Sequence, residues 1–158
     1  MSVVTLDELK VWREDLRRAG KVLVLTNGVF DLLHVGHVRY LQGARIFGDA
    51  LVVAVDSDQS VRALAKGEER PIVPAAERAE IVAALGCVDA VVIFDGPTAR
   101  SVVAVLEPDV YVKGGDYADG AKPLPEAAVV EGSGGRVAFV PLAPGYSTTG
   151  LITRIRGG

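Results

Sequence analysis

Short apolar runs alternate along the chain with longer segments in which apolar residues recur at helical spacing. The runs are rich in β-branched residues, which is typical of strands. One of them, ALVVAVDSD, is almost continuously apolar, as expected for a strand buried on both faces of a parallel sheet. Five strands are predicted, at residues 21–28, 50–58 and 88–94, within 109–116, and at 136–142.

Helical segments lie before and between these strands and after the last one. They are predicted at residues 1–20, 37–48, from 60 onwards, 75–86, 97–107, 125–134 and 147–155. Gly86 is expected to close the helix before the third strand. The charged segment 67–74, which contains two prolines, is expected to be a mobile loop.

Regular alternation of strand and helix predicts an α/β fold, a Rossmann-like open parallel sheet with helices on both faces. Ligands of such sheets bind beyond the carboxyl ends of the strands, near the point where the strand order reverses. The loops that follow the strands are therefore the first places to look for a functional site.

Composition narrows the range of functions. The 158 residues are predicted to form one domain, 1–158, because no linker, repeat or low-complexity tract divides them. A formal net charge of −3 without a basic cluster argues against a nucleic-acid partner. No apolar run suggests a membrane span or a signal peptide. With one cysteine, and two histidines outside any zinc-site spacing, the cytoplasm is the expected compartment.

Both histidines lie in the segment TNGVFDLLHVGHVRYL, where the first strand gives way to a helix. The helix start offers unpaired N–H groups and the positive end of the helix dipole. Gly36, between His34 and His37, leaves room for a phosphate, and each imidazole can donate a hydrogen bond. An isolated H-x-x-H pair would more simply be a loop residue and a first-turn surface residue. The position at a strand-to-helix junction instead favours phosphate binding.

This segment resembles the motif of the HxGH nucleotidyltransferases, small Rossmann-like enzymes that include cytidylyltransferases and adenylyltransferases. Four further stretches resemble the ADP-heptose synthase branch of that family, in the same order: VDSDQSVRALAKG, RPIVPAAERAEIVAALGCVD, YVKGGDY and GYSTTGLI. The resemblance covers nearly all of residues 20–156. The K-G-G-D form of the third stretch, in place of the E-G-D of the cytidylyltransferases, favours the adenylyl branch.

The resemblance implies transfer of AMP from ATP to D-glycero-β-D-manno-heptose 1-phosphate, which gives ADP-heptose and pyrophosphate. The acceptor phosphate would attack the α-phosphorus in line, and because it is already an anion it needs no general base. His34 and His37 would stabilise the charge on the reacting phosphate. Three alternatives stay open: a cytidylyltransferase for glycerol 3-phosphate or another polyol phosphate, an FMN adenylyltransferase, and a non-catalytic nucleotide-binding regulator.

The resemblance also implies a set of site residues around the two histidines. Lys66 would be a third catalytic group that reaches the phosphates, with Arg70 as a second candidate cation. Arg78 and Asp31 are expected to face the acceptor. The residues expected to bind the nucleotide and its phosphates are Thr26, Asn27, Gly28, Val29, Phe30, Gly36, Lys113, Gly114, Asp116, Ser147, Thr148 and Thr149.

Local physical chemistry offers a simpler interpretation of several of these residues. Lys66 would be a solvated surface lysine, and Arg78 would pair with acidic neighbours on its helix. Phe30 would belong to the core, and Asp31 to a turn. Ser147 or Thr148 would cap the last helix, which is compatible with phosphate binding at the same place.

Cofactor and partners follow from the same resemblance. ATP implies Mg²⁺, which would be held mostly by phosphate oxygens and water, so no protein ligand is predicted. Family members are often homodimers, although no heptad or interface stripe in this sequence indicates one. Some synthases of this branch are joined to a sugar kinase that these 158 residues do not contain, so a separate sugar kinase is expected to supply the acceptor.

Overall fold

The computed structural model describes residues 2–64 and 67–157. Its strands are β1 (Leu23–Gly28), β2 (Ala50–Asp56), β3 (Ala90–Phe94), β4 (Val110–Gly114) and β5 (Arg136–Val140). They form one sheet in the order β3-β2-β1-β4-β5, and each neighbouring pair is parallel. Every residue of β2 is buried, which explains why its sequence is almost continuously apolar.

Seven α-helices connect and cover these strands in the described residues. They are α1 (Leu6–Arg18), α2 (Val35–Arg45), α3 (Asp58–Ala63), α4 (Ala75–Ala83), α5 (Arg100–Leu106), α6 (Glu126–Gly132) and α7 (Thr148–Gly157). One core cluster packs α1, α5 and α6 against one face of the sheet, and a second packs α2 and α4 against the other. The predicted α/β fold with a parallel sheet and helices on both faces is confirmed.

The strand order places the reversal point between β1 and β4. From β1 the chain proceeds outward through β2 and β3, and it then returns to the other side of β1 to form β4 and β5. The loop after β1 and the loop after β4 therefore diverge from neighbouring strand ends and leave a crevice between them. The loop after β1 has an unusual backbone, since Phe30 and Leu32 have φ angles of 53° and 47°. Non-glycine residues seldom adopt this region unless the surrounding structure holds them there.

Two expectations about the segment around α4 need correction. Gly86 does not close this helix, because α4 ends at Ala83 with Ala84 as a right-handed cap, and Gly86 has no left-handed φ. Residues 70–73 lack helix or strand, as predicted, but they are anchored: Arg70 is buried, and the N–H groups of Ile72 and Val73 donate hydrogen bonds to another loop. The backbone at residues 70–73, which include Pro71, is therefore held in place by these contacts.

Helix length also bears on membrane association. None of the helices in the described part of the chain combines the length and the apolar character that a bilayer crossing requires.

Candidate active site

A cavity of about 510 Å³, called the main cavity below, opens at the reversal point of the strand order. Its walls come from the loop after β1, the first turn of α2, the end of β4 and the segment that enters α7. Lining residues predicted from the sequence are Asn27, Gly28, Val29, Phe30, Asp31, His34, Gly36, His37, Lys113, Gly114, Asp116, Ser147, Thr148 and Thr149. The structure thus brings together residues from three separate sequence motifs.

The two histidine rings stack on each other in this cavity. Their centroids are 3.8 Å apart and their planes differ by 21°. The backbone N–H of His34 donates a 3.2 Å hydrogen bond to Nδ1 of His37. Because Nδ1 accepts this bond, the neutral His37 ring carries its proton on Nε2, which can donate to a ligand.

His34 is held in place mainly by packing. Its ring stacks on His37 on one side, and Tyr146 lies parallel to it at 6.4 Å on centroids. Its Nδ1 is buried and has no hydrogen-bond partner among residues 2–64 and 67–157. Burial lowers the pKa of His34 below its ordinary value, so the ring is neutral at pH 7 until an anion approaches it.

Gly36 allows this packing. A Cβ atom at residue 36 would lie 2.8 Å from the Cβ of Tyr146 and 2.9 Å from the His34 ring. Any side chain here would therefore force the His34 ring away from Tyr146, which lies in the segment that enters α7. Gly36 is predicted to leave room for a phosphate, and its contacts give it a packing role as well.

Asp31 joins three parts of the site. Its carboxylate is 1% exposed and accepts hydrogen bonds from Arg70 Nε at 2.7 Å and from the N–H groups of Ile72 and Val73 at 2.9 and 3.0 Å. Its backbone oxygen accepts the hydroxyl of Thr148 in α7. Although burial raises the pKa of Asp31, these donors lower it below its ordinary value overall. Oδ2 accepts two of these hydrogen bonds and Oδ1 one, so the geometry gives Asp31 an anchoring role.

Two predicted site residues in the described part of the chain do not line the main cavity. Arg78 is 1% exposed and donates to the backbone oxygens of Val73 and Val29 and to Asp58, at 2.6–2.8 Å, so it supports the loops from behind and does not pair with its helix neighbours. Thr26 is fully buried beneath the cavity, where its hydroxyl donates to Val112 O at 2.8 Å. Lys66 lies outside the described residues.

Lys113 separates the main cavity from a smaller one of about 230 Å³, called the side cavity below. Its Nζ lies 3.4 Å from Oδ1 of Asn27 and 4.9 Å from the ring centroid of Tyr117. Tyr111 donates its hydroxyl proton to the same Asn27 oxygen. Burial lowers the pKa of Lys113, although three nearby carboxylates act in the opposite direction. The lysine is therefore a desolvated cation at the boundary between two spaces.

The start of α7 forms another wall of the main cavity. Ser147 caps the helix by accepting the N–H of Gly150 at 2.9 Å, as one interpretation of the sequence expected. Thr148 and Thr149 also line the cavity. Hydroxyls and backbone N–H groups at a helix start favour a bound phosphate.

Several cavity residues were not selected from the sequence. They are Tyr40, Tyr117, Leu142, Ala143 and Tyr146. Tyr146 directly precedes the S-T-T motif, and this position in the sequence could have indicated that it lines the cavity. Tyr117 likewise ends the YVKGGDY stretch, directly after Asp116. Tyr40, Leu142 and Ala143 lie in surroundings that resemble core positions, so their exposure to a cavity became evident only in the fold.

Comparisons with known proteins bear on this arrangement. A family model described as cytidylyltransferase-like matches residues 25–153. The chain is 53% identical over 160 residues to the bifunctional protein HldE of Geotalea uraniireducens, which covers 99% of this chain and 31% of that protein. It is 52% identical to the bifunctional protein HldE of Syntrophotalea carbinolica, covering 88% of this chain and 28% of that protein. The chain therefore spans less than a third of these curated relatives.

A solved structure is also similar. The crystal structure of the lipopolysaccharide core biosynthesis protein from Thermoplasma volcanium GSS1 matches with a TM-score of 0.63 at 28% identity. The match covers 78% of this chain and 97% of that one. The similarity therefore extends over almost all of that protein.

Proposed function

The chain belongs to the cytidylyltransferase-like family, and we propose that it transfers AMP from ATP to a sugar 1-phosphate. The proposed acceptor is D-glycero-β-D-manno-heptose 1-phosphate, and the products are ADP-heptose and pyrophosphate. The observation that carries the proposal is the stacked pair of His34 and His37 in the main cavity, facing the start of α7. This arrangement gathers neutral donors and helix N–H groups around one anionic centre.

The geometry supports a direct displacement. An oxygen of the acceptor phosphate forms a bond to the α-phosphorus of ATP, the bond to the bridging oxygen breaks, and its electron pair leaves with pyrophosphate. The acceptor is an anion at neutral pH, so no side chain has to remove a proton. His37 donates through Nε2 to the α-phosphate, and His34 gains a proton or a hydrogen-bond partner beside it. Catalysis then rests on positioning and on charge stabilisation.

The side cavity is the proposed place of the sugar. It shares Asn27, Lys113 and Tyr117 with the main cavity, so a phosphate beside Lys113 could meet a nucleotide on the other side. Its remaining walls include Thr98, whose hydroxyl group suits the hydroxyl groups of a polyol. This assignment differs from the expected acceptor contacts: Arg78 is buried and donates through all three nitrogens to protein oxygens, and Asp31 holds Arg70 and the N–H groups of residues 72 and 73.

Mg²⁺ is proposed to enter with ATP. Its preferred ligands are oxygens, and with a nucleotide it takes most of them from phosphates and water. Within residues 2–64 and 67–157 no group of three or more carboxylate, histidine or cysteine side chains is placed to hold a metal ion. We therefore assign no protein ligand to it, and its contribution would be to neutralise the charge of the triphosphate.

An activity panel tests the proposed function. Purified protein is offered ATP or CTP together with heptose 1-phosphate, glycerol 3-phosphate or FMN, and pyrophosphate release is measured, with acceptor-free reactions as controls. We expect the highest kcat/KM for ATP with heptose 1-phosphate. A preference for CTP with glycerol 3-phosphate, or for ATP with FMN, would contradict the proposed substrates. Tight ATP binding without turnover on any acceptor would indicate a regulatory protein.

Nucleotide binding is expected to take up a proton at His34. Burial lowers the pKa of the free His34 ring, and a phosphate beside it raises the pKa again. At a pH between the pKa of the free ring and the pKa of the complex, binding of ATP protonates the ring. The affinity for ATP therefore increases as the pH falls through the pKa of the complex. Calorimetry at pH 6.5 in buffers of different ionisation enthalpy measures the uptake. The His34→Gln variant should take up fewer protons, and equal uptake by both proteins would contradict the contact.

A further inference from the structure

Arg70 is buried in an unusual way. It is 8% exposed and lies in the loop between α3 and α4. Its Nε donates a 2.7 Å hydrogen bond to Asp31, whose two oxygens are also bound by the N–H groups of Ile72 and Val73. Among the residues that the structure describes, the terminal Nη atoms of Arg70 have no hydrogen-bond partner. In the described residues His34 Nδ1 is the buried side-chain nitrogen that lacks a partner, so the Nη atoms of Arg70 are not buried and keep access to open space.

The terminal nitrogens of Arg70 lie at a cavity wall. Arg70 lines the main cavity together with His34, His37 and Thr149. Its side chain is held from behind through Nε, which leaves the fork of the two Nη atoms for a ligand. Because Asp31 also accepts the hydroxyl of Thr148, Arg70 and the start of α7 are tied to the same residue. Two groups that favour anions are thus fixed relative to each other.

We propose that Arg70 binds the β- and γ-phosphates of the nucleoside triphosphate and stabilises the pyrophosphate as it leaves. This inference rests on the proposed function, since it assigns the leaving group of that reaction. With the α-phosphate at the histidine pair, the rest of the triphosphate extends toward the start of α7 and Arg70. A planar guanidinium can donate to two phosphate oxygens at once, on one phosphate or on two neighbouring phosphates. Asp31 acts as the positioning residue that aims the fork.

The alternative ligand for Arg70 is the phosphate of the acceptor. Lys113, at the boundary with the side cavity, is better placed for that phosphate, whereas Arg70 does not line the side cavity. Arg70 instead borders a second cavity between residues 67–72 and α7, which also contains two glutamates. Arg156 also lines this cavity and pairs with Glu69, which leaves the charge of Glu68 to disfavour a polyphosphate there. The anion is therefore expected on the main-cavity side of Arg70.

Binding measurements test this assignment without requiring turnover. Calorimetry compares pyrophosphate, ATP and AMP on the wild type and on the Arg70→Gln, Arg70→Lys and Arg62→Gln variants. Arg62 is an exposed arginine on α3 that lines none of the cavities described above, and it serves as the matched control. Thermal unfolding of each variant verifies that it is folded. The affinities for pyrophosphate, ATP and AMP are compared within each variant, so that a smaller fraction of active protein affects all three equally.

We expect Arg70→Gln to weaken pyrophosphate and ATP binding by about tenfold or more and to leave AMP binding unchanged. Arg70→Lys should restore part of the loss, because it keeps the charge without the fork. Equal weakening of AMP and pyrophosphate, or no weakening of either, would overturn the assignment. So would a rise confined to the KM of the sugar phosphate.

The outcome also separates this inference from the proposed function. A protein that binds pyrophosphate through Arg70 but adenylylates no sugar phosphate would overturn the function and leave the pyrophosphate site standing. If the wild type made ADP-heptose and the Arg70→Gln variant bound pyrophosphate normally, the proposed function would stand and the pyrophosphate site would be overturned.

Discussion

Replacing His37 with alanine is expected to lower kcat by about a hundred- to a thousandfold, the usual cost of losing one donor to a transition-state charge. Nδ1 of this ring accepts the backbone N–H of His34, so Nε2 is the nitrogen that carries the proton in the neutral ring, and His37 lines the main cavity. The charge on the reacting phosphate group is largest in the transition state, so kcat should fall more than the KM for ATP rises. Steady-state pyrophosphate release with ATP and heptose 1-phosphate measures both.

The tautomer of His37 sharpens this test. A glutamine side chain extends far enough to place its amide N–H near the position of Nε2, whereas asparagine reaches only the position of Nδ1. We therefore expect His37→Gln to retain more activity than His37→Asn, which should resemble the alanine variant. Full turnover by His37→Ala on the best substrate pair would show that the stacked histidines do not stabilise the reaction, and the mechanism would then be wrong.

Much of the fold could be predicted because the sheet is buried on both faces. β2 is buried throughout and apolar at every residue before Asp56, so its sequence alone indicates a central parallel strand. The sites of chemistry also coincide with local signals, since the H-x-G-H, K-G-G-D and S-T-T motifs all follow strands. Parallel strands end at one edge of the sheet, which brings these motifs together.

The end of α4 shows where a local signal misleads. Gly86 is a plausible helix stop from its sequence position, yet the backbone turns three residues earlier without a left-handed residue. The cap N–H of Ala84 bonds within the last turn of the helix. A helix can end in this way at ordinary residues, so glycine marks a frequent stop and not a necessary one.

The roles of Asp31 and Arg78 could not be predicted, because they depend on contacts between distant parts of the chain. Asp31 is bound by residues about forty positions later, and Arg78 reaches back to Val29 and Asp58. No periodic pattern encodes such contacts. The family resemblance marked both as site residues, and the structure adds that they hold the loops which carry the site.

Removing the carboxylate of Asp31 is expected to have the largest effect on stability. Asp31→Ala leaves the buried Arg70 guanidinium unpaired and strips two backbone N–H groups of their acceptor. Breaking a buried ion pair on one side costs about 3–5 kcal/mol, and we expect the free energy of unfolding to fall by about that amount. Urea unfolding at pH 7 measures it, and Asp119→Ala, at an exposed acid in the loop after β4, is the matched control.

The pH dependence and a double variant identify the cause. The hydrogen-bond donors around Asp31 lower its pKa in the folded state. The wild type therefore has the full stabilising contribution of Asp31 above about pH 4, the ordinary pKa of Asp. It loses this contribution as the pH falls through the lower pKa of the folded state. The gap between wild type and Asp31→Ala should therefore narrow in acid. Adding Arg70→Met should recover part of the loss at pH 7, because it removes the unpaired charge. If Asp31→Ala unfolded like the wild type but lost activity, Asp31 would instead contact the acceptor, as the sequence first suggested.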